Sequence, residues 1–292
     1  MALSEGDRVK LKIRHRATIS FSEPVSDPCI ELHLSPVDTG LQRTWEHGIA
    51  ITPDAPVKSF RDHFGNHVVR FQLPGTIERM EIDAHSTVET THAVSCGPES
   101  APDPRPYQER WQEFLHYSHG IPELAEYGSI EIPRPISMDM DDLEFGHRLH
   151  LMGEHFRDTF DYDPQASSVD PEQLFKDGKG SAQAIAHAMI GMLRQTGIPA
   201  RFASGYVFNP AEGEMGEQLL GATSQHAWVQ AWHEGYGWIG VDPVNAKLVG
   251  WQYVRTAIGR DYFDVVPSRM VSPADTEGST ETSIKVEIDE SA

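Results

Sequence analysis

Apolar and polar residues alternate along most of residues 1–96, with the period of two that is typical of half-buried β-strands. The longest run begins at Val9 and continues to Phe21. Shorter runs follow, and turn-forming Pro, Gly and Asn residues separate them. The shorter runs occupy residues 30–34, 69–73 and 80–84. Several short strands without a helical period predict an N-terminal antiparallel β-sandwich domain over residues 1–96.

The period changes from two to 3.6 beyond residues 97–106, a Pro-rich stretch that we interpret as a linker. The clearest helical pattern begins at residue 182, where apolar side chains recur at the i, i+3, i+4, i+7 spacing of a helix with one buried face. Gly197 and Pro199 follow this pattern as stop signals. The predicted helices span residues 107–117, 143–160 and 182–195.

Strand-like alternation resumes after the last predicted helix and continues to residue 241. These helices and strands make up the second domain, which we assign to residues 107–270. Residues 271–292 form a polar tail, in which the alternating residues 283–289 offer one more strand.

A predicted β-hairpin brings a histidine and a carboxylate together. If its turn centres on Glu234, His226 on the first strand lies directly opposite Asp242 on the second, with Cβ atoms about 4.5–5.5 Å apart. A carboxylate in this position can accept the imidazole N–H, fix the tautomer and stabilise the imidazolium. The spacing alone fits both a catalytic base with its orienting acid and a purely structural pair.

The predicted helix that begins at residue 182 has a start suited to nucleophilic chemistry. Gly178 and Gly180 allow the backbone to turn sharply into a helix whose first side chain is that of Ala182. Unpaired N–H groups and the positive end of the helix dipole lie at this point, so a cysteine here would form a thiolate readily. The same N–H groups could stabilise an oxyanion. The methyl group of Ala182 provides no such chemistry.

Composition and charge argue against several classes of partner. The net charge is −20, and the Lys and Arg residues are not clustered as nucleic-acid binding requires. No apolar segment approaches the ~20 residues that span a bilayer, and the N-terminus lacks a secretory pattern. Cys29 and Cys96 are too few for a disulfide framework. We therefore expect a cytoplasmic protein without nucleic-acid or membrane partners.

A metal site is not indicated by the sequence. His147, His150, Glu154 and His155 lie at helical spacing, but no third, distant ligand accompanies them. Solvated histidines explain this pattern better, and we expect no metal or other cofactor.

The order and spacing of several motifs resemble the transglutaminase-like family. Residues 180–206 are similar to its pattern G-x-C-x-D-x-A…L-L-R-x-x-G-I-P-A-R-x-x-S-G-Y, and the His226-Ala-Trp and Gly237-Trp…Asp242-Pro blocks follow in order. Residues 254–262 and 62–66 resemble segments of the bacterial members, so the resemblance covers nearly the whole chain. The chain departs from the pattern in having alanine where the family has cysteine, at residue 182, and alanine where the motif often has aspartate, at residue 184.

This resemblance implies an α+β fold with a papain-like transglutaminase core, in which the helix carrying the nucleophile position packs on an antiparallel sheet after an all-β sandwich domain. It implies a Cys–His–Asp triad whose His and Asp map to His226 and Asp242 and whose Cys maps to Ala182. The family's cysteine attacks an amide or ester carbonyl, and water or an amine resolves the thioester. The expected substrate is a peptide, protein or amide, and we favour hydrolysis over transamidation.

Three explanations of Ala182 remain open. The chain is an inactive variant in which alanine replaces the cysteine of a working enzyme, or it is a natural pseudoenzyme that serves as a peptide- or protein-binding module. In the third, Ser181 attacks instead. One step along a helix turns the side chain by about 100°, however, so the Ser181 hydroxyl should miss His226, and a role as helix N-cap is favoured.

Accessory positions complete the expected site. The backbone N–H of Gln183 is a candidate oxyanion donor, Tyr162 a candidate for lining the acyl pocket, and Trp228 a candidate wall of the substrate groove. For Trp228, packing in the core is the alternative role.

Overall fold

The computed structural model describes residues 6–93, 105–130, 136–137, 140–210, 216–271 and 278–289. Of the linker assigned to residues 97–106, the structure describes Arg105 and Pro106. Cys96 lies outside the described residues. Within the described part of the chain, no helix combines the length and apolarity required to span a bilayer.

The fold is mixed, with mostly antiparallel sheets and few helices. The strands are β1 Arg8–Ser26, β2 Cys29–Leu32, β3 Gln42–Thr52, β4 Val57–Arg61, β5 His67–Gln72, β6 Thr76–Thr91, β7 Asp161–Tyr162, β8 Lys179–Gly180, β9 Ala200–Val207, β10 His226–His233, β11 Gly237–Asp242, β12 Lys247–Leu248, β13 Tyr253–Gly259, β14 Ser268–Val271 and β15 Gly278–Ile288. The α-helices are α1 Tyr107–Arg110, α2 Gln112–Leu115, α3 Asp142–Thr159, α4 Pro171–Asp177 and α5 Ala182–Gln195.

The N-terminal strands form two antiparallel sheets that pack face to face. Their strand orders are β15-β1-β6-β3 and β14-β2-β5-β4 among the described residues. Alternation along each strand directs one set of apolar side chains into a shared core, which contains Ile19 of β1, Ile30 of β2, Phe71 of β5 and Ile82 of β6. The predicted β-rich N-terminal region is therefore present as two packed sheets.

Strands from the end of the chain complete both sheets. β15 pairs with β1 from Leu11 opposite Ile288 to Phe21 opposite Gly278, and β14 pairs with β2. β15 begins five residues before the pattern at residues 283–289 indicates. The reason is that its first six residues are exposed on both faces, so no apolar alternation marks them.

The second part of the fold is a five-stranded antiparallel sheet with the order β12-β11-β10-β9-β13. Helix α5 packs against β9 and β10 and shares a buried cluster with Ala227, Val229 and Ala231 of β10. Its bounds match the helix predicted over residues 182–195. The structure therefore confirms a helix packed on an antiparallel sheet behind an N-terminal β region.

The prediction of a single helix over residues 107–117 is wrong. The chain forms the short helices α1 and α2, which are interrupted at Trp111, where φ is −110° and ψ is 16°. The Trp111 ring packs against the rings of Trp232 and Trp238, with centroids 4.3 and 5.3 Å away. This tertiary contact occurs at the interruption between α1 and α2, which the sequence pattern does not indicate.

The two parts of the fold are joined by apolar and polar contacts. Leu11 and Val88 of the N-terminal sheets share a buried cluster with Tyr206 and Trp251 of the second part. Asn66 donates from its side-chain amide to the carbonyl of Ile258 at 2.7 Å and accepts from the Ile258 N–H at 2.8 Å. Asn66 thus extends the hydrogen bonding of β13 to the segment 62–66, which belongs to the motif that marks the bacterial resemblance.

Candidate active site

A buried histidine–aspartate pair lies at one end of the β10–β11 hairpin. His226 is the first residue of β10 and Asp242 the last residue of β11. The Nε2 of His226 is 2.7 Å from Oδ2 of Asp242, and the two side chains are 1% and 0% exposed. The carboxylate at this distance and burial can orient the ring and stabilise its protonated form.

The register that brings the pair together differs from the predicted one. Trp232 pairs with Trp238, so the turn spans residues 234–236 and centres on Gly235, not on Glu234. Continuing this register would place Trp228, not His226, opposite Asp242. Gly237, which follows this turn as the first residue of β11, adopts a φ of +73°, a left-handed conformation that favours glycine.

The error of two residues leaves the pair on one face of the sheet, because side chains alternate with a period of two. His226 and Asp242 are therefore diagonal neighbours, whose Cβ atoms are about 7–8 Å apart or somewhat less in such pairs. The imidazole and carboxylate side chains bridge that gap to form the hydrogen bond.

The Asp242 carboxylate is held by five donors. Oδ2 accepts from His226, from the Tyr253 hydroxyl at 2.8 Å and from the Asn245 side-chain amide at 2.7 Å. Oδ1 accepts the backbone N–H groups of Val244 at 2.9 Å and Asn245 at 3.2 Å. Burial by itself would raise the pKa of this carboxyl, but the His226 charge and the hydrogen bonds outweigh burial and hold the pKa below its ordinary value. Asp242 is therefore ionised near neutral pH.

Tyr253 and Asn245 are functional candidates that the sequence analysis missed. Asn245 lies three residues after Asp242 in an Asp-Pro-Val-Asn turn, and Asn is a common turn residue, so a local signal was present. Tyr253 begins β13, which is separated from β11 by β10 and β9 in the sheet. No spacing in the sequence predicts a contact across that distance.

The second ring nitrogen of His226 has no hydrogen-bond partner in the described part of the chain. Because the Asp242 carboxylate accepts, Nε2 carries a proton, and in the neutral form of the ring Nδ1 is an acceptor. Nδ1 is buried and finds no hydrogen-bond partner among the described residues. A Cβ built on Gly221 would collide with Nδ1 and lie 2.7 Å from Cε1, so the Gly221 backbone covers this side of the ring. Nδ1 of His226 is thus buried, covered by Gly221 and without a partner among the described residues.

Ala182 is the first residue of α5 and is 4% exposed. Ser181 caps the helix: its hydroxyl oxygen accepts the Ala184 N–H at 3.1 Å and donates to the Ser168 carbonyl at 2.7 Å. The structure confirms the N-cap role that the sequence predicts for Ser181. With its hydroxyl engaged in both directions, Ser181 has no free proton to give to His226.

Tyr162 lies beside the start of α5. It pairs with Gly180 in the short parallel ladder of β7 and β8, two residues before Ala182. Burial, and then the charges of Asp242 and Asp163, raise the pKa of the Tyr162 hydroxyl. Tyr162 therefore lies beside the helix start and within electrostatic range of Asp242.

The remaining predicted positions, Trp228 and Gln183, lie in different settings. Trp228 is 1% exposed and packs edge-on against the ring of Tyr253, with centroids 5.5 Å apart. Gln183 is half-buried in the first turn of α5, where backbone N–H groups lack partners within the helix.

The histidines and the glutamate considered for a metal do not converge. His150 and Glu154 approach to 3.8 Å along α3. Across the residues whose placement is described, no three His, Cys, Asp or Glu side chains are arranged to hold a metal ion.

Two family profiles match the chain. Residues 135–243, which contain α3, α5 and the hairpin that carries His226 and Asp242, match the transglutaminase-like superfamily. Residues 11–89, which form most of the two packed sheets, match the bacterial transglutaminase-like N-terminal region. This protein belongs to the transglutaminase-like superfamily. The two matches together cover more than half of the chain.

Several relatives of this transglutaminase-like protein extend over most of its length. A protein of uncharacterised function from Mycobacterium leprae is 24% identical over 284 residues, which are 96% of this chain and 98% of the relative. One from Mycobacterium tuberculosis is 24% identical over 289 residues, with 92% and 90% covered. The protein-glutamine gamma-glutamyltransferase of Pseudomonas aeruginosa is 29% identical over 158 residues, or 50% of this chain and 21% of that protein.

The fold is shared with a crystal structure of a proposed cysteine protease from Cytophaga hutchinsonii. The two structures align with a TM-score of 0.74 over 97% of this chain and 91% of the other, at 18% sequence identity. The likeness at this identity concerns the fold: a transglutaminase-like cysteine protease architecture with an N-terminal β region.

Proposed function

We propose that this transglutaminase-like chain carries the base and acid of a cysteine acyl-transfer site for peptide or amide bonds. In this proposal His226 is the base, Asp242 orients it, and residue 182 is the nucleophile position. Because Ala182 occupies that position, the chain as it stands is an inactive form of the enzyme.

The observation that carries the proposal is the unpaired Nδ1 of His226. Asp242 fixes the proton on Nε2, which leaves a basic lone pair on a buried nitrogen that has no partner among the described residues. An unsatisfied buried polar atom costs about 1–3 kcal/mol. Nδ1 of His67 and Nδ1 of His92 are also buried without a partner among the described residues, but at His226 the opposite nitrogen bonds a fully buried carboxylate. In our proposal, the partner of this nitrogen is a thiol at residue 182, and the methyl group of Ala182 cannot form that hydrogen bond.

The chemistry follows for a cysteine at residue 182. Nδ1 of His226 takes the thiol proton, and the thiolate attacks the carbonyl carbon of the substrate amide. The tetrahedral intermediate collapses to a thioester as the C–N bond breaks, and the imidazolium returns the proton to the leaving amine. Water then attacks the thioester with His226 as base, which releases a carboxylic acid and restores the thiol.

The surroundings support this sequence of steps. Ionised Asp242 stabilises the imidazolium that forms in the first step. We assign the backbone N–H of Gln183, in the first turn of α5, as a donor to the oxyanion of the intermediate, and Tyr162 as a residue that lines the acyl pocket. We favour water over an amine as the final acceptor.

The test is the formation of an acyl-enzyme by the Ala182→Cys variant. The variant is mixed with an activated ester of a blocked dipeptide, with and without an added primary amine, and its intact mass is followed in time. A transient acyl adduct that yields free acid in both mixtures supports hydrolysis. The Ala182→Cys/His226→Ala variant is the matched control and should form at least about 100-fold less adduct per unit time.

A natural pseudoenzyme that binds a peptide or protein is the alternative, and Ala182 itself favours it. If the Ala182→Cys variant forms no more adduct than the control, the site lacks the power to activate a thiol. That result would overturn the enzyme proposal and leave the binding role.

A further inference from the structure

The loop of residues 219–225 directly precedes β10. It covers one side of the His226 ring. Its Gly221 has a φ of +84°, which favours glycine, and its backbone is so close to the ring that a Cβ would collide with Nδ1. Since His226 is 2% exposed, this loop closes the side of the ring on which Nδ1 lies.

Three side chains anchor this loop. Asn209 accepts the Leu219 N–H at 2.9 Å, and the Gln225 side-chain amide donates to the Thr256 hydroxyl at 2.9 Å. Asn245 accepts the Leu220 N–H at 2.7 Å and donates to the Leu220 carbonyl at 3.2 Å. The Asn245 anchor therefore pairs with both backbone groups of the residue next to Gly221.

Asn245 also contacts the acid of the buried pair. Its amide nitrogen donates to Oδ2 of Asp242 at 2.7 Å, in addition to the Leu220 carbonyl. The amide nitrogen thus faces two acceptors and the amide oxygen faces a donor, so the orientation is fixed, and a flipped amide would lose all three hydrogen bonds. A carboxylate of the same shape would place a second negative charge against Asp242.

We propose that Asn245 is a positioning residue that holds the 219–225 loop and the Asp242 carboxylate as one unit, and so sets the place of Gly221 beside the reactive nitrogen of His226. The effect of Asn245 on reactivity rests on the proposed function, in which a nucleophile must reach the side of the His226 ring that this loop covers. The linkage itself is a property of the chain as it stands, with Ala182 in place.

The linkage is tested first without any reaction, by residue-resolved amide hydrogen exchange of the chain with Ala182. Asn245→Ala should raise the exchange rate of the Leu220 N–H at least about tenfold, because its acceptor is lost. Two variants serve as matched controls. Asn209→Ala removes an anchor of the same loop without touching Asp242 and should speed exchange at Leu219 but not at Leu220. Tyr253→Phe removes a donor to Asp242 without touching the loop and should leave Leu220 unchanged.

The Asn245→Asp variant gives a pH signature that a merely structural contact would not produce. Two carboxyl groups in contact repel each other when both are ionised, so the pair should share a proton whose pKa is raised. After correction for intrinsic exchange, Leu220 protection should be lost near pH 8 and regained near pH 5.5, where the shared proton restores the donor to Asp242. Protection that is independent of pH in this variant would overturn the linkage.

The consequence for the site is measured in the Ala182→Cys background with a small thiol-directed electrophile. Asn245→Ala should slow alkylation of the introduced cysteine by about tenfold or more, as supporting hydrogen bonds around reactive groups typically do when removed. Asn209→Ala should stay within about twofold. Equal slowing by both would show that Asn245 merely supports the loop, and would overturn the positioning role. If the introduced cysteine is unreactive in the parent, the proposed function fails, while hydrogen exchange still decides whether the linkage exists.

Discussion

At the scale of single residues, the two nitrogens of His226 have opposite environments. Nε2 donates to a carboxylate that four other donors also hold, whereas Nδ1 is buried without a partner among the described residues. A structural histidine elsewhere in the fold shows the contrast. His187 uses both nitrogens, bonding the Val169 carbonyl at 2.7 Å and accepting the Tyr262 N–H at 2.9 Å. Within the part of the chain that the structure describes, one ring nitrogen of His226 is hydrogen-bonded and the other is not, which is the arrangement that a general base requires.

Gly221 gives a prediction at this scale. In the Ala182→Cys background, Gly221→Ala should slow alkylation of the introduced cysteine at least about tenfold, because the added methyl group displaces the imidazole or the loop. Stopped-flow alkylation followed by intact mass measures the rate.

Gly75→Ala is the control for this substitution. Gly75 has the same φ of +84° but no atom within 4 Å of the added Cβ, so it bears the same backbone strain, about 1–2 kcal/mol, without the collision. Equal rates for the two variants would contradict the close contact between Gly221 and His226.

At the scale of elements, the start of α5 follows from local signals. Ser181 provides the cap, the apolar stripe provides the buried face, and the helix ends before Gly197, which has a φ of +82°. The β10–β11 hairpin was predicted less well, because the sequence does not fix the length of its turn. The shared face of His226 and Asp242 was still predicted, since an error of two residues preserves the face.

Other features of the site depend on tertiary contacts and could not be predicted from the sequence. The break at Trp111 coincides with packing against Trp232 and Trp238. The contact of Tyr253 with Asp242 spans two intervening strands, and the cover that Gly221 provides depends on the path of a loop. Periodicity reports which face of an element is buried, but it does not report what the element is buried against.

Ser181 carries the prediction for the helix. Ser181→Ala should lower the free energy of unfolding by about 1–2 kcal/mol, because the Ala184 N–H loses its cap and the Ser168 carbonyl loses its donor. Urea denaturation measures the change. In the Ala182→Cys background the same substitution should leave the introduced cysteine reactive, and complete loss of its reactivity in a folded variant would contradict the assignment of Ser181 as a cap alone.

At the scale of the whole molecule, buried neutral histidines lie in both parts of the fold. Burial lowers the pKa of His15, in the N-terminal sheets, and of His187, in α5, to about 4 in each case. His47 also has a pKa of about 4, because of burial and then the nearby His67 and His85. All three remain neutral in the folded state at pH values where the unfolded chain binds protons.

Stability should therefore fall as the pH decreases from 6.5 to 4. In this range the unfolded state binds more protons than the folded state, and each such histidine contributes a slope of up to about 1.4 kcal/mol per pH unit. Above pH 7 these groups should add no slope. Urea denaturation between pH 4 and 8 measures the trend, and a free energy of unfolding that stays constant from pH 6.5 to 4.5 would contradict the burial of these rings.

The central claim is that His226, held by Asp242, activates a thiol at residue 182. The most direct measurement is the alkylation rate of the introduced cysteine at neutral pH in Ala182→Cys, compared with Ala182→Cys/His226→Ala, with Cys29 and Cys96 as internal references. We predict that the introduced cysteine reacts at least about tenfold faster than either native cysteine, and that it loses this advantage without His226. Equal labelling of all three thiols, or a fast reaction that persists without His226, would contradict the claim.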